Sequence, residues 1–504
     1  MFEGYQLAFN FLVTHPGAIL STLIGLILGL LIGALPGLTG PAGVAMLIPL
    51  TFSMDPIIGI VMLVALYCGS TFGGAITAVL FNIPGDPQNA CTTLDGYPMA
   101  RQGQAGKALG AALGGGAMAG AFGVIVLALL APPLANVGLA FGPAEYFALA
   151  MMGISVISAL ETASVWKGLV SGLLGIVIAT VGIDPLTGYG RFTFGLRPLM
   201  QGIDFMVVVI GTFAITEVLM SCQEEEPQME SAGDIKVAIE FMRLKEWLAI
   251  KWTLIRSSIL GLFIGILPGV GATTASFVSY SEAVRWSKHP EKFGTGIVEG
   301  VVASEAGANG AVGGAMVPLL ALGIPGSATA AILIGALTLH GVRPGPLMMV
   351  EQKEMVYTIF VTMFIAYLAM ILFGVWTLRV FVKILNIDYS ILAPIILILC
   401  VIGVFTLRNS VFDVMLSFGF GIVGYFMRTY HYPIAPMIIG LVLGPLAEVN
   451  FRRAFIVSNF NLAGVIFRPI TAVLLLISLA SVIYAFWKQY LKYKKAAGEA
   501  TLKL

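Results

Sequence analysis

Charge is what this sequence has least of. Only 11% of its 504 residues are charged, against roughly a quarter in an ordinary soluble protein, and no Lys or Arg occurs before Arg101. That shortage excludes a soluble globular fold. A net charge of +1 gives no basis for nucleic-acid binding or for an acidic partner. The four cysteines (Cys68, Cys91, Cys222, Cys400) form no CxxC pair, so they read as reduced, small hydrophobes, neither disulfides nor metal ligands. The four histidines are scattered without an HExxH, which rules out a zinc-protease reading. No GK[ST] closes a glycine-rich stretch. Gly106, Gly110 and Gly114 stand at helix-packing spacing, and nothing points to an ATPase. Residues 1–17 also lack the basic start of a signal peptide, so the first hydrophobic segment is expected to be retained.

What fills the sequence is apolar: 58% hydrophobic, mean hydropathy +0.96, with 60 glycines that suit close helix approach in lipid. The apolar runs are long and do not alternate, which argues for helices and against a β-barrel. The fold class is an all-α polytopic membrane protein. Spans are expected at 18–34, 57–80, 107–131, 145–160, 165–183, 203–220, 253–267, 300–320, 355–376, 391–407, 411–427 and 468–487. Shorter apolar pieces bounded by Pro or Gly, at 41–52, 270–280, 327–339 and 434–446, read as re-entrant or half-membrane helices. Between ten and fourteen membrane segments follow.

A polar, amphipathic stretch at 221–252, opening on Glu224-Glu225-Glu226, divides a first membrane repeat (1–220) from a second (253–504). The basic C-terminal tail (Lys488, Lys492, Lys494, Lys495, Lys503) and the linker are expected on the cytoplasmic side. "LIGALPGLTG" (31–40) returns as "FIGILPGVGA" (263–272), and Ile83-Pro84-Gly85 returns as Ile324-Pro325-Gly326, each preceded by a Gly-Gly pair. The offsets are 232 residues (Ile32 to Ile264) and 241 residues (Ile83 to Ile324). We therefore expect two homologous halves, an internal repeat expected to be inverted. Gly/Pro-broken segments in corresponding places are the sequence mark of a secondary transporter's site. A helix that stops inside the membrane exposes backbone groups that only a buried site or a ligand can satisfy. Its N-terminus suits carboxylates, and its freed carbonyls suit hard cations.

The candidate substrate-binding residues are accordingly those of the interruptions: Pro36, Gly37, Thr39 and Gly40, then Asn82, Pro84 and Gly85. In the second half they are Gly269, Gly271, Thr273, Thr274, Asn309, Pro325, Gly326, Ser327 and Thr329. The alternative for the Leu-Pro-Gly turns is a kinked helix that only packs closely. Candidates for a coupling ion or proton are Ser70, Thr71, Asp86 and Glu305. Asp86 is open to three roles: holding a cation, accepting a proton, or capping the helix that follows it. Glu305 sits near the membrane middle or at an interface, and Glu145, Glu161 and Glu217 are assigned to segment edges. No catalytic set and no structural metal site is expected.

These blocks resemble the large membrane subunit of the tripartite tricarboxylate transporter family, the TctA type. The resemblance rests on "GALPGLTGPAGVAMLIP", "NIPGDPQNACTTLDGYPMARQGQAGKALG", "GILPGVGATTASFVSY", "KHPEKFGTGIVEGVVASEA" and "PLLALGIPGSATAAILIGALTLHGVRPGPLM", and covers essentially the whole chain. One departure stands out: "EAGANGA" keeps Asn309 but has Ala308 where the family commonly has a first asparagine. The resemblance implies a permease of the bacterial inner membrane. Its partners would be a small four-helix membrane subunit and a periplasmic solute-binding protein. Its cargo would be citrate or a related organic carboxylate, with Na⁺ or H⁺ as the coupling ion, no other cofactor, and an elevator-type architecture. An oligomer is compatible with it. The alternatives are a self-sufficient carboxylate symporter, a channel, and an intramembrane enzyme.

Overall fold

The computed structural model describes residues 2–35, 38–160, 164–184, 187–221, 239–384 and 389–501. Pro36, Gly37, Glu161, Cys222 and the linker residues 222–238 lie outside the described residues, as do the side chains of the basic tail. The first half runs α1 (Phe2–Thr14), α2 (Gly17–Ala34), α3 (Gly40–Thr51), α4 (Pro56–Phe81), α5 (Thr93–Arg101), α6 (Ala105–Leu139), α7 (Pro143–Leu160) and α8 (Val165–Ala179). A small hairpin follows (β1 Gly182–Ile183 with β2 Gly190–Arg191), then α9 (Arg197–Met200). The half ends in a helix that passes from α10 (Phe205–Val209) through a π-helical turn (Ile210–Ile215) into α11 (Thr216–Ser221). The second half comprises α12 (Leu244–Ala249), α13 (Lys251–Ile266), α14 (Gly271–Trp286), α15 (Val298–Leu322), α16 (Ala328–Leu339) and α17 (Met348–Glu351). It closes with α18 (Lys353–Ile384), α19 (Tyr389–Arg408), α20 (Val411–Thr429), α21 (Ile434–Val457), α22 (Leu462–Ile466) and α23 (Pro469–Thr501).

Local chemistry sets the breaks. α2 stops at Ala34 ahead of Pro36, as a helix must where proline bars the preceding residue from helical backbone. α3 restarts with Thr39 as its N-cap, the hydroxyl accepting the Ala42 N–H (3.4 Å), and with Pro41 in its first turn. α4 opens on the Asp55 cap and Pro56, and ends at Asn82 in left-handed backbone (φ 59°). α15 ends in the same way at Gly323 (φ 74°).

The core is built by glycines laid against carbonyl oxygens. On α2, Gly25, Gly29 and Gly33 face the carbonyls of Met62, Leu66 and Ser70 on α4; Gly69 and Gly73 of α4 face those of Leu26 and Leu30 in return. In the second half, Gly261 and Gly265 of α13 face the carbonyls of Gly307 and Ala311 on α15, while Gly310 and Gly314 face those of Ser258 and Leu262. A Cβ at these positions would collide with backbone, so the helices approach as closely as small residues allow. Other pairings join one half to the other: α6 lies along α15, α18 along α4 and α2, α8 along α21, and α20 along the π-helical turn. Asp95 adds a polar tie. Its Oδ1 accepts the N–H groups of Gly294, Gly296 and Ile297, and its Oδ2 accepts the Tyr280 hydroxyl (2.8 Å). Outside the apolar bundle, Lys107 donates to Glu246 (2.5 Å) and holds that carboxyl below the usual carboxylate range.

Among the described residues, seven helices are long and apolar enough to cross a membrane: Gly17–Ala34, Pro56–Phe81, Ala105–Leu139, Lys353–Trp376, Val411–Thr429, Ile434–Val457 and Pro469–Trp487. The protein is therefore an all-α, multi-pass membrane protein. α15 is long enough but stays below that hydropathy because Glu305 and Asn309 lie inside it; it is buried almost throughout. The half-helices expected at 41–52, 270–280 and 327–339 appear as α3, α14 and α16, the second longer than expected. The one expected at 434–446 does not stop there: α21 carries Pro445 inside a continuous helix to Val457. Substituting Gly265→Leu should push α13 off α15 and abolish recovery of a monodisperse protein from membranes. Gly419→Leu, at an exposed glycine with nothing near its Cβ position, should leave recovery unchanged; size-exclusion profiles of the two variants make the comparison.

Candidate functional site

The breaks converge. The N-termini of α3, α14, α16 and α21, together with the turn after α4, enclose a cavity of about 320 Å³. That is the small end of the range for ligand sites, roughly 300–1,000 Å³. Its wall includes Thr39, Tyr67, Asp86, Gln88, Thr273, Ser327, Thr329, Arg428 and Tyr432, with apolar surface from Phe213, Pro433 and Ile434.

Groups of both signs meet at the wall. α14 and α21 begin without a side chain on their first N–H groups, so those donors face the cavity region unsatisfied by a cap. α16 is capped by Ser327, whose Oγ accepts the Ala330 N–H (3.1 Å), which leaves its two earlier N–H groups free of that cap. Helix N-termini carry partial positive charge and bind anions. Arg428, at the end of α20, adds a full positive charge at the wall and pairs with Glu217 (2.6 Å). Glu217 lies near the end of its segment, as expected. It is buried on α11 against this arginine.

Asp86 is buried and supplies the negative counterweight. Of the three roles open to it, capping its own following turn is not the one observed: Pro87–Ala90 has no side-chain cap. Asp86 Oδ2 instead accepts the N–H of Gly40 (2.9 Å), the first residue of α3, and so caps a helix from another part of the chain. Tyr67 of α4 hydrogen-bonds Ser327 (2.9 Å), linking the first half to the N-cap of α16.

Of the residues singled out by the sequence, Thr39, Asp86, Gly271, Thr273, Ser327 and Thr329 line the cavity. Gly40 stands behind Asp86. Gly85, Gly269, Pro325 and Gly326 form the turns beneath it: Gly269, at φ 72°, donates its N–H to the Gly326 carbonyl (3.0 Å) and so joins the two second-half interruptions. A Cβ on Gly326 would meet the Gly265 carbonyl and Ala315; one on Gly85 would meet the Gly33 carbonyl and Gly74. Thr274 is half-buried on α14 and is not on the wall. Asn82 and Pro84 are exposed, Asn82 serving as the left-handed cap of α4. Ser70 and Thr71 both donate to the Tyr67 carbonyl (3.1 and 3.0 Å). Glu305 and Asn309 lie apart from the cavity, fully buried in α15.

The sequence reading missed Tyr67, Phe213, Arg428 and Tyr432. Arg428 had a legible signal, as the one Lys or Arg between Arg408 and Arg452. Tyr67 and Phe213 are ordinary residues of apolar segments, brought here by tertiary packing, and Tyr432 follows α20 just before α21.

With this geometry in view, the comparisons with known proteins are specific. Residues 19–439 match the model of the tripartite tricarboxylate transporter TctA family. The chain is 38% identical over 484 residues to a 52.8 kDa protein of Agrobacterium vitis from the TAR-I ttuC' 3' region, covering 96% of this chain and 94% of that one. It is also 38% identical over 225 residues to a protein of the same organism from the TAR-II ttuC' 3' region, covering 45% of this chain and 93% of that one. No solved structure matches. The chain belongs to the tripartite tricarboxylate transporter TctA family.

The Asp86 bond to Gly40 predicts that Asp86→Ala lowers thermal stability of the purified protein by roughly 1 kcal/mol, the usual worth of a lost helix cap. Asp86→Asn, which keeps an acceptor oxygen, should lose less than half as much in the same melting experiment.

Proposed function

We propose that this TctA-family chain is the permease subunit of a binding-protein-dependent secondary transporter, importing citrate or a related organic carboxylate across the bacterial inner membrane. The observation that carries the reading is the cavity where four helix N-termini and Arg428 meet. Several carboxylates on one small molecule match several separated positive ends, and Thr39, Thr273, Ser327 and Thr329 supply hydroxyls between them. The turns of Gly85, Gly269 and Gly326 hold those ends in place, and Pro36 and Gly37 are kept as binding residues on their sequence motif alone. Asn82 is removed from the donors to the substrate, since it is exposed at the cap of α4.

The two halves are read as one repeat, inverted in the membrane. Atom-level parallels support this: the Gly33 contact with Ser70 recurs as Gly265 with Ala311, and the Gly85 contact with Gly33 as Gly326 with Gly265. Both pairs keep the offsets of the sequence motifs. An elevator motion of the bundle carrying the cavity accords with this arrangement. The coupling ion is Na⁺ or H⁺, the C-terminus is cytoplasmic, and the partners are a small four-helix membrane subunit and a periplasmic solute-binding protein.

Uptake of radiolabelled citrate into proteoliposomes tests this, with the chain alone and with both presumed partners, under imposed Na⁺ and pH gradients. Uptake that needs all three components is the expected result. Uptake by the chain alone would replace the tripartite dependence with a self-sufficient symporter. The paired variant Arg428→Gln/Glu217→Gln removes the cavity's cation without stranding its partner, and should cut citrate uptake at least about tenfold, the equivalent of 1.4 kcal/mol.

A further inference from the structure

Glu305 occupies a compartment of its own. Its side chain is completely buried, and it forms no ion pair among the described residues. Thr92 donates its hydroxyl to Oε1 (2.5 Å), Asn89 donates its amide to the same oxygen (3.2 Å), and the Asn309 amide stands 3.4 Å from Oε2. Ser304 lies 3.1 Å from Thr92 and extends the hydroxyl chain. The amide oxygens of Asn89 and Asn309, both buried, have no hydrogen-bond partner among the described residues.

Two properties of this shell define what Glu305 can hold. As the side chains stand, Thr92, Asn89 and Asn309 all present a donor to the carboxylate. A carboxylate sealed from water with no counter-charge is sustained only when something neutralises it. A proton on Oε2 fits both, and the orphan Asn309 oxygen, on the amide beside Oε2, is its acceptor once that amide rotates. The other titratable groups around the compartment are already engaged or neutral thiols. Cys91 faces it from the turn before α5, and Cys68 of α4 is engaged with Tyr367. Asp95 is held by three N–H groups and Tyr280 of α14, and Tyr367 of α18 donates to the Asn309 carbonyl (3.4 Å).

The compartment also touches the cavity. Within Pro87–Ala90, Pro87 and Gln88 line the cavity wall, and Asn89 reaches Glu305. The same turn packs on α14, which presents Thr273 to the cavity. A substrate seated against Pro87 and Gln88 would press on the same short turn that carries Asn89 to Glu305. We propose that Glu305 is the proton-carrying group of this transporter. It binds and releases one proton per cycle in a closed compartment that the turn Pro87–Ala90 links to the carboxylate cavity. The proton is taken from water on the side where substrate enters and returned to water on the other. The assignment rests on the carboxylate-transport reading above and separates the two buried acids: Asp86 holds a helix end, and Glu305 carries the proton.

The test compares wild-type protein and Glu305→Gln, each with its partner proteins in proteoliposomes, in two assays with radiolabelled citrate. Counterflow, exchange of internal for external citrate without a gradient, needs no proton turnover. Accumulation under a pH difference of about one unit does, and each proton carried then sustains roughly a tenfold citrate gradient. Glu305→Gln, a permanent stand-in for the protonated acid, should exchange citrate at the wild-type rate and lose the tenfold accumulation. A variant that still accumulates citrate under the pH gradient would overturn the proposal. So would a wild type that accumulates only under a Na⁺ gradient, or a well-folded variant that loses counterflow as well. Proton uptake on citrate binding, read by calorimetry in buffers of different ionisation heat, gives a second measure: one proton for wild type, none for Glu305→Gln. Equal proton uptake in both would refute the assignment. Absence of wild-type counterflow would instead count against the carboxylate reading itself.

Discussion

A helix that begins beside a buried cavity leaves its first N–H groups without intrahelical partners, and that single constraint organises this structure. α3, α14, α16 and α21 all begin at the same place. Each brings donors that must be met by a cap, by another part of the chain, or by a ligand. The protein answers with a mixture. Thr39 and Ser327 cap their own helices, Asp86 reaches across to Gly40, and α14 and α21 start without a side-chain cap. What is left over is a pair of uncapped helix ends, α14 and α21, beside Arg428 at one small cavity, and the carboxylate proposal rests on that arrangement.

The glycine contacts exist to hold those ends in position. α2 against α4 and α13 against α15 approach until backbone meets backbone, because residues with side chains would keep them apart. Such interfaces fix the height at which each interrupted helix stops. The turns at Gly85 and Gly326 then fit only where Gly33 and Gly265 present bare carbonyls. Site and scaffold are thus one construction, and a substitution in either is felt in the other.

Much of this was legible before any coordinates. The Pro-Gly interruptions marked where helices stop, and α3, α14 and α16 begin within one residue of the pieces read from the sequence. Thr39, Asp86, Thr273, Ser327 and Thr329 were identified because polar residues beside a broken apolar run have few other uses. Arg428 and Tyr67 were not. They sit at the end of one apolar segment and within another, and only the packing of α20 and α4 against the half-helices brings them to the cavity. Asn82 lies off the cavity wall for a local reason: left-handed backbone at the end of α4 takes an asparagine readily, which gives that residue a structural use. The reach of Asp86 to Gly40 spans 46 residues and could not be read from neighbours in sequence.

The central claim is that the helix N-termini and Arg428 form the carboxylate site. Its most direct test is an experimental structure of the purified protein with citrate bound. The account predicts ligand density in the cavity, with one carboxylate at Arg428 and another against the first residues of α14 or α16. Citrate bound elsewhere in the bundle, with this cavity holding only water, would contradict it.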